Sequence, residues 1–236
     1  MHLAPRLDII GAALSDPSRT RMLCELMDGR AYTNKELASA AGVTPQTATA
    51  HLKHLADIGL TVSLKSGRCV YHRLAGPEVA QTLEAIAVLA PSNHLHRATQ
   101  RKGARLDALV ARSCYDHLAG RLGVAICAAL QKKDVLQPEG LSFVPKPDEL
   151  WGKLGVVFPE KPGRKPFART CLDWTERKHH LAGPLATQLM SHAFEAHWLR
   201  RIRNGRGLEI TTAGQHAFHT LLAIGPDALK GAAHAV

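Results

Sequence analysis

The stretch TNKELASAAGVTPQTATAHLKHLADI, residues 33–58, decides the fold of the N-terminal part of this chain. Thr33 is followed three residues later by Glu36, which is the pattern of a capping box and predicts a helix start. Gly42 permits a tight turn, and Thr44-Pro45 predicts a second helix, because Thr is a good N-cap and Pro suits the first helical position. The apolar stripe of that second helix consists of Ala48, Leu52, Leu55 and Ile58. We therefore predict a helix-turn-helix whose second helix turns a polar face outward and can enter a major groove of DNA.

The residues that follow this stretch predict a β-hairpin. Residues 60–64 alternate like a strand, residues 65–68 (KSGR) read as a hairpin turn, and residues 69–74 read as the return strand. A hairpin whose tip carries Lys and Arg can contact phosphates or the minor groove. With a last helix over about residues 77–89, residues 1–90 are predicted to form a winged helix-turn-helix DNA-binding domain.

The candidate DNA contacts lie on the outer face of the 44–58 helix and at the tip of the hairpin. Their hydroxyl, amide and basic groups can hydrogen-bond to base edges or phosphates. His51 could equally pack beneath the helix, and the threonines could act only as caps or as a solvated face. The candidates are Thr44, Gln46, Thr47, Thr49, His51, Lys53, Lys65 and Arg68.

Three runs of this sequence resemble the ArsR/SmtB family of winged-helix regulators in order and spacing. They are ALSDPSRTRMLCEL, NKELASAAGVTPQTATAHLKHLADIGL and KSGRCVYHRL, and together they cover roughly residues 8–89. The resemblance implies a homodimer that represses transcription from a palindromic operator in double-stranded DNA and releases it on sensing a chemical signal. It also implies that the 44–58 helix reads bases and that the 65–68 hairpin grips the DNA backbone.

The usual sensing sites of that family lack their ligands in this sequence. Residues 31–37, where many members carry a cysteine pair, contain no cysteine. Residues 76–84, where others place Asp, His and Glu ligands, contain no histidine. Cys24 and Cys69 have no neighbouring ligands in the sequence, and we interpret them as packing residues. A sensor, if this protein has one, must lie elsewhere.

Composition and charge limit the alternatives. The chain of 236 residues has 45% hydrophobic residues, a formal net charge of +10 and five scattered cysteines, which favour a reduced, cytoplasmic protein with polyanionic partners. No apolar run approaches the length of a membrane span, and the first residues do not resemble an export signal. We find no Gly-rich phosphate loop, nucleophile elbow or metalloprotease motif, so we do not expect an enzyme.

The second half of the sequence contains an internal repeat. Residues 91–103 read as a linker, and residues 104–236 are predicted to form a C-terminal sensory or dimerisation domain. Within it, RSCYD at 112–116 parallels RTCLD at 169–173, and HLAGRL at 117–122 parallels HLAGPL at 180–185. The repeats span about residues 112–156 and 169–225, and each holds a helix (about 118–131 and 184–197), a strand-like piece (141–144 and 208–211) and a closing apolar helix. We predict an α-rich, internally duplicated domain, and for the whole chain a mainly α fold with small hairpin wings.

A second hairpin with an Asn-Gly turn is predicted over residues 198–211. Its four arginines suggest two interpretations. The hairpin could be a second wing that contacts DNA, or it could be a solvated basic surface. The four arginines are Arg200, Arg201, Arg203 and Arg206.

The repeated cysteines and histidines suggest four possible roles. If the repeats pair about a pseudo-twofold axis, Cys114 and His117 meet Cys171 and His180, and thiolate and imidazole are ligands that zinc, copper or nickel accept. The two thiols could instead close reversibly under oxidants, or the region could bind a small organic effector between aromatic walls with polar anchors such as Asp116. Packing and helix capping alone would also explain them, and the insertion at 174–179 makes the two spacings unequal. The candidate effector residues are Cys114, Tyr115, His117, Cys171, Asp173, Trp174 and His180.

Taken from sequence alone, the chain is predicted to be a DNA-binding transcriptional regulator. We expect a homodimeric repressor that needs no cofactor to bind DNA and responds through its C-terminal domain to a small-molecule, redox or metal signal. The alternative is an architectural DNA-binding protein without an effector.

Overall fold

The computed structural model describes residues 5–90, 109–161, 163–202 and 206–230 of the chain. By their contacts these residues form two compact units, one of residues 5–82 and one of residues 83–90 with 109–230. The predicted linker at 91–103 lies outside the described residues. None of the helices within the described ranges is long and apolar enough to cross a bilayer.

Five helices form around the predicted helix-turn-helix. Asp16 caps α2 by accepting hydrogen bonds from the backbone N–H groups of Ser18 and Arg19, and the capping box of Thr33 and Glu36 is present at the start of α3. Gly42 ends α3 with a positive φ of 71°, so the chain turns sharply there without the penalty that a Cβ would bring. The bounds are α1 (Leu7–Leu14), α2 (Pro17–Leu26), α3 (Asn34–Ala41), α4 (Pro45–Asp57) and α5 (Pro77–Leu89).

A three-stranded antiparallel sheet completes the winged domain. Its strands are β1 (Tyr32–Thr33), β2 (Thr61–Ser66) and β3 (Cys69–Leu74), in the order β1-β3-β2. The pairing of Ser66 with Cys69 leaves a two-residue turn at Gly67-Arg68, where Gly67 has a φ of 58°. The helices and the sheet enclose a core of small and aliphatic side chains that includes Met22, Leu23, Leu26, Leu37, Ala48, Leu52, Leu55 and Leu74. The predicted winged helix-turn-helix is confirmed.

The second unit shows the same order of elements twice, a hairpin, a helix, a second hairpin and a second helix. The first set comprises β4 (Arg112–Cys114), β5 (His117–Ala119), α6 (Gly120–Lys132), β6 (Leu136–Glu139), β7 (Ser142–Pro145) and α7 (Leu150–Lys153). The second set comprises β8 (Ala168–Leu172), β9 (His179–Ala182), α8 (Pro184–Glu195), β10 (Leu199–Arg201), β11 (Leu208–Ile210) and α9 (Thr212–Leu222), followed by α10 (Pro226–Leu229). β6, β7, β8 and β9 join into one four-stranded antiparallel sheet, while β4-β5 and β10-β11 are separate pairs.

The C-terminal domain was predicted to be α-rich, and this prediction was wrong about its strands, most of which were not predicted. The segments 112–114 and 117–119 are buried throughout, so they show no alternation of polar and apolar residues by which a strand could be predicted. The predicted helix over 118–131 accordingly begins only at Gly120, after β5. The strand-like piece 141–144 is β7, shifted by one residue to Ser142–Pro145.

The second unit packs around a single apolar core. The helices α6, α8 and α9 contribute one buried face each, and Trp151 of the short helix α7 is among its largest fully buried side chains. Other members are Leu122, Ile126, Leu130, Phe143, Leu185, Leu189, Leu199, Leu208, Phe218 and Leu222.

Candidate functional site

The helix α4 exposes the polar face that the sequence predicts. Thr44 caps it by accepting a hydrogen bond from the backbone N–H of Thr47 at 3.2 Å. Its residues Ala48, Leu52 and Leu55 are buried, and this fixes which side of the helix faces outward. The outward side chains are Thr44, Gln46, Thr47, Thr49, Lys53 and His54.

Several of these side chains also have partners within the protein. The Thr49 hydroxyl donates to the carbonyl of Pro45 at 2.9 Å, and the Thr44 and Thr47 hydroxyl oxygens lie 2.9 Å apart. The His51 side chain is only 16% exposed, with Nε2 3.9 Å from Oδ1 of Asp16. His51 therefore packs back against the start of α2, whereas Gln46 is exposed on the first turn of α4.

The hairpin of β2 and β3 is exposed over residues 63–70. Lys65 and Arg68 both lie at its tip, beside the turn at Gly67. Two positive side chains on an exposed tip can follow a phosphate backbone, because neutralising phosphates releases condensed counterions.

The second hairpin, β10-β11, holds its arginines in contacts of its own unit. Arg200 forms a bidentate ion pair with Glu209, with its Nη2 2.7 Å from Oε2. Arg201 lies over the ring of Phe194 at 4.9 Å, and Arg206 pairs with buried Glu84 at 2.7 Å. The Asn-Gly turn and Arg203 lie outside the described residues. Because these arginines contact groups of their own unit, the contacts favour the interpretation of the hairpin as a solvated basic surface over that of a second DNA-binding wing.

Two hairpins of the second unit bring four sulfur and nitrogen ligands together. Cys114 pairs with His117 across β4-β5, and Cys171 pairs with His180 across β8-β9. One ligand atom from each of the four residues lies within 4.8 Å of all the others, and all four residues are buried. The Nε2 atoms of the two histidines are 3.1 Å apart. We call these four residues the Cys/His cluster.

A carboxylate stands behind each histidine of the Cys/His cluster. Oδ1 of Asp116 lies 3.0 Å from Nδ1 of His117, and Oδ2 of Asp173 lies 3.8 Å from Nδ1 of His180. Asp173 is completely buried and forms an ion pair with Arg112 at 2.9 Å. Arg112 was not among the predicted site residues, although its parallel with Arg169 in the repeat was the available signal.

Burial and neighbouring groups set the protonation of this region. The hydrogen bond with Cys171, and then burial, raise the pKa of the Cys114 thiol well above its usual value. Burial lowers the pKa of His180 well below its usual value, and the charge of His117 lowers it further. Burial acts to raise the pKa of Asp173, but the Arg112 charge and the hydrogen bonds outweigh it and the net shift is downward. Burial acts to lower the pKa of His117, but the neighbouring Cys114 and Asp116 outweigh it and raise that pKa to about 10.

Tyr115 and Trp174, the two aromatic residues predicted as walls of an organic pocket, both lie in turns between paired strands of the second unit. Tyr115 is half-buried in the turn between β4 and β5, with a positive φ of 60°. The ring of Trp174 lies 5.0 Å from the Arg112 guanidinium carbon, an arrangement typical of a cation–π contact. Trp174 therefore supports Arg112, and through it Asp173.

The fold and the exposed face of α4 define a winged helix-turn-helix protein of the DNA-binding class. No family model matches the chain. It is 38% identical over 217 residues to the HTH-type transcriptional regulator YdfF of Bacillus subtilis, an alignment that covers 91% of this chain and 96% of YdfF. It is also 39% identical over 74 residues to the HTH-type transcriptional regulator CmtR of Mycobacterium bovis, covering 31% of this chain and 62% of CmtR.

The chain therefore belongs to the family of HTH-type transcriptional regulators. The predicted identity of residues 8–89 as an ArsR/SmtB-type winged domain is confirmed by these relatives, and so is the prediction of a regulator rather than an enzyme. A solution structure of a homodimeric winged helix-turn-helix DNA-binding domain from Mycobacterium bovis, a possible ArsR-family regulator, is 29% identical over 43% of this chain and 98% of that one, with a TM-score of 0.34.

Proposed function

We propose that this regulator is a homodimeric repressor that binds a palindromic operator through α4 and the β2-β3 hairpin, and that the state of its C-terminal unit sets its affinity for DNA. The observation that carries the proposal is the division of α4 into a buried apolar stripe and an exposed polar face that begins at Gln46. Winged helices contact a DNA groove with the exposed face of one helix and contact the phosphates with the hairpin. The exposed face of α4, together with Lys65 and Arg68 at the tip of the hairpin, provides the groups for both contacts.

A second copy of this chain is the partner that we propose for the winged domain. The helix α1 exposes Leu7, at 69%, and Ile9, apolar side chains that a symmetric partner would cover. The resemblance to ArsR/SmtB regulators implies the same arrangement. Light scattering on the purified full chain tests it, and a monomer at all concentrations would contradict it.

We infer that the C-terminal unit arose by duplication and that its sensory element is the Cys/His cluster. Three facts support this: the repeated order of elements, the two equivalent Cys-to-His pairings, and the two equivalent glycines. Gly120 is the first residue of α6 and Gly183 is the N-cap of α8, with φ of 77° and 86°. A Cβ at either position would approach a backbone carbonyl oxygen at 3.0–3.1 Å, so both repeats need glycine there.

Replacing Gln46 by alanine is expected to relax the preference for particular bases. An amide at the start of a recognition helix can form a bidentate contact with adenine, worth about 1–3 kcal/mol of discrimination. Selection of bound sequences from a random DNA pool gives the operator, and anisotropy with the operator and single-base variants then measures discrimination. An equal loss on every sequence would contradict the assigned role. A wild-type protein without any preference for a palindrome would instead favour the architectural alternative.

Replacing Arg68 by alanine is expected to weaken binding to all DNA sequences alike. Loss of one phosphate contact should make the slope of log affinity against log salt shallower by about one. The matched control is Lys153→Ala, which removes an exposed positive charge from α7 in the other unit. Unchanged affinity and slope in Arg68→Ala would remove the hairpin from the interface.

A further inference from the structure

The Cys/His cluster has the dimensions of a site for one metal ion. Zinc held by sulfur at about 2.3 Å and nitrogen at about 2.0–2.1 Å in a tetrahedron places neighbouring ligand atoms about 3.3–3.8 Å apart. The four ligand atoms of the cluster already lie within 4.8 Å of one another. A contraction of these separations by at most about 1–1.5 Å closes the four atoms around an ion.

The cluster is also poorly satisfied by its own hydrogen bonds. Nδ1 of His180 is buried and has no hydrogen-bond partner, and its Nε2 faces the Nε2 of His117. Two imidazoles and two thiols buried together have few donors to share, and an unsatisfied buried polar group costs about 1–3 kcal/mol. An ion that accepts a lone pair from Nε2 of each histidine and from each sulfur would replace the contact between the two Nε2 atoms, and it would leave the proton of His180 on Nδ1, on the side of Asp173.

The surroundings of the cluster are those of a metal site. Metal-binding histidines usually direct their second ring nitrogen to a carboxylate, which orients the ring and strengthens it as a ligand. Asp116 lies within hydrogen-bond distance of Nδ1 of His117, at 3.0 Å, whereas Asp173 lies on the Nδ1 side of His180 at 3.8 Å, beyond hydrogen-bond distance. The Nε2 atoms of both rings face each other at the centre of the cluster. Asp173 is held in turn by Arg112.

We propose that Cys114, His117, Cys171 and His180 bind one Zn²⁺-type ion in a closed, four-coordinate site. The proposal deepens the function proposed above and rests on it only for the regulatory consequence. Two thiolates and two imidazoles suit zinc and cobalt(II), and they are poor ligands for calcium or magnesium, which require oxygen. Four protein ligands leave no position open for a substrate, so the site is one for sensing or stability.

The ion would join two separate hairpins of the unit. Cys114 and His117 belong to β4-β5, whereas Cys171 and His180 belong to β8-β9. Binding therefore ties the first repeat to the second, and it releases the thiol protons as the cysteines become thiolates. A peroxide that takes two electrons and two protons from Cys114 and Cys171, and leaves as water or alcohol, would join them in a disulfide, which would remove both sulfur ligands and so exclude the ion.

The test is titration of the reduced, chelator-treated full chain with cobalt(II). We expect one cobalt per chain, with the d–d absorption of a tetrahedral ion and a thiolate-to-cobalt charge-transfer band, both lost on adding zinc. In Cys114→Ser and Cys171→Ser the charge-transfer band should fall by about half or more and the affinity at least ~100-fold, since even changes behind the ligands reduce metal affinity about 10–100-fold. The wild-type spectrum is informative even if a variant fails to fold.

Cys127→Ser is the matched control. Cys127 is buried in α6 of the same unit but is not part of the cluster, and burial raises its pKa to about 12, so it remains a thiol. This variant should bind cobalt like the wild type. No thiolate band in the wild type, or equal binding by all three variants, would overturn the proposal.

Measurement of operator binding on the same samples separates the two proposals. If cobalt and zinc bind as expected but DNA affinity is unchanged, the metal site stands and the sensory role of the cluster falls. If the reduced protein binds no metal while an oxidant alters DNA affinity, the metal site falls and the regulatory role stands with a disulfide as its signal.

Discussion

Replacement of Asp173 by alanine is expected to lower the free energy of unfolding of the C-terminal unit by about 3–5 kcal/mol, the usual loss when one partner of a buried ion pair is removed. The Asp173 carboxylate is completely buried, and the Arg112 side chain beside it is 2% exposed. The variant would leave the Arg112 charge in the interior without its principal counter-charge.

Asp173 also connects several loops by hydrogen bonds. Its carboxylate accepts from the backbone N–H of Gly120 at 2.7 Å, from the N–H and hydroxyl of Thr175 at 2.9 and 2.6 Å, and from the N–H of Glu176 at 3.1 Å. The variant would leave these donors without their acceptor, which adds to the loss.

Urea unfolding followed by tryptophan fluorescence measures this effect. The three tryptophans, Trp151, Trp174 and Trp198, all lie in the C-terminal unit, so the signal reports on that unit alone. Asp134→Ala is the control, because Asp134 is an exposed carboxylate paired with Lys146, and its loss should leave the midpoint unchanged. Equal midpoints for Asp173→Ala and the wild type would show that the buried pair contributes nothing.

Replacement of Trp151 by alanine is expected to cost about 3–5 kcal/mol, the typical loss for truncating a buried tryptophan. Trp151 is 1% exposed, and its indole N–H donates to the carbonyl of Lys146 at 2.8 Å. The helix α7 has four residues, too few to be stable by itself, so the packing of Trp151 is what holds it against the core.

Circular dichroism during urea unfolding is the suitable measurement, because the variant loses one of the fluorescent reporters. Trp151→Phe should recover part of the loss by filling most of the cavity. Leu141→Ala, at a residue that is 86% exposed on the β6-β7 turn, should change stability by no more than about 0.5 kcal/mol. If Trp151→Ala were as stable as Leu141→Ala, the contribution of α7 to the core would be refuted.

The N-terminal domain could be predicted closely because its signals are local. Three of these signals each depend on residues within one helical turn: the capping box of Thr33 and Glu36, the Thr44-Pro45 start of α4, and the positive φ of Gly42. The apolar stripe of α4 specified its buried face, and the alternation after Gly59 specified the hairpin. The placement of His51 against Asp16 was not predictable, because the contact joins two helices.

The C-terminal unit was predicted less well, since its short strands are defined by partners and not by pattern. The repeat showed that Cys114 and His117 correspond to Cys171 and His180, but their spacings of three and nine residues are unequal, and the sequence left a metal site, a disulfide, an organic pocket and packing open as roles. The hairpin loop of residues 173–178 absorbs the extra residues, so that Cys171 and His180 still face each other across β8-β9.

The sequence by itself determined the winged helix-turn-helix and its outward face, because caps, turns and apolar spacing act over a few neighbouring positions. It also determined which residues of the two repeats correspond to each other. Only the tertiary structure decided that the four thiol and imidazole groups meet at one buried point, with Asp116 and Asp173 behind the rings. The position of these four groups depends on strand register and on the packing of segments that are distant in the sequence. Burial and hydrogen bonding between those segments determine both, and no local sequence pattern predicts them.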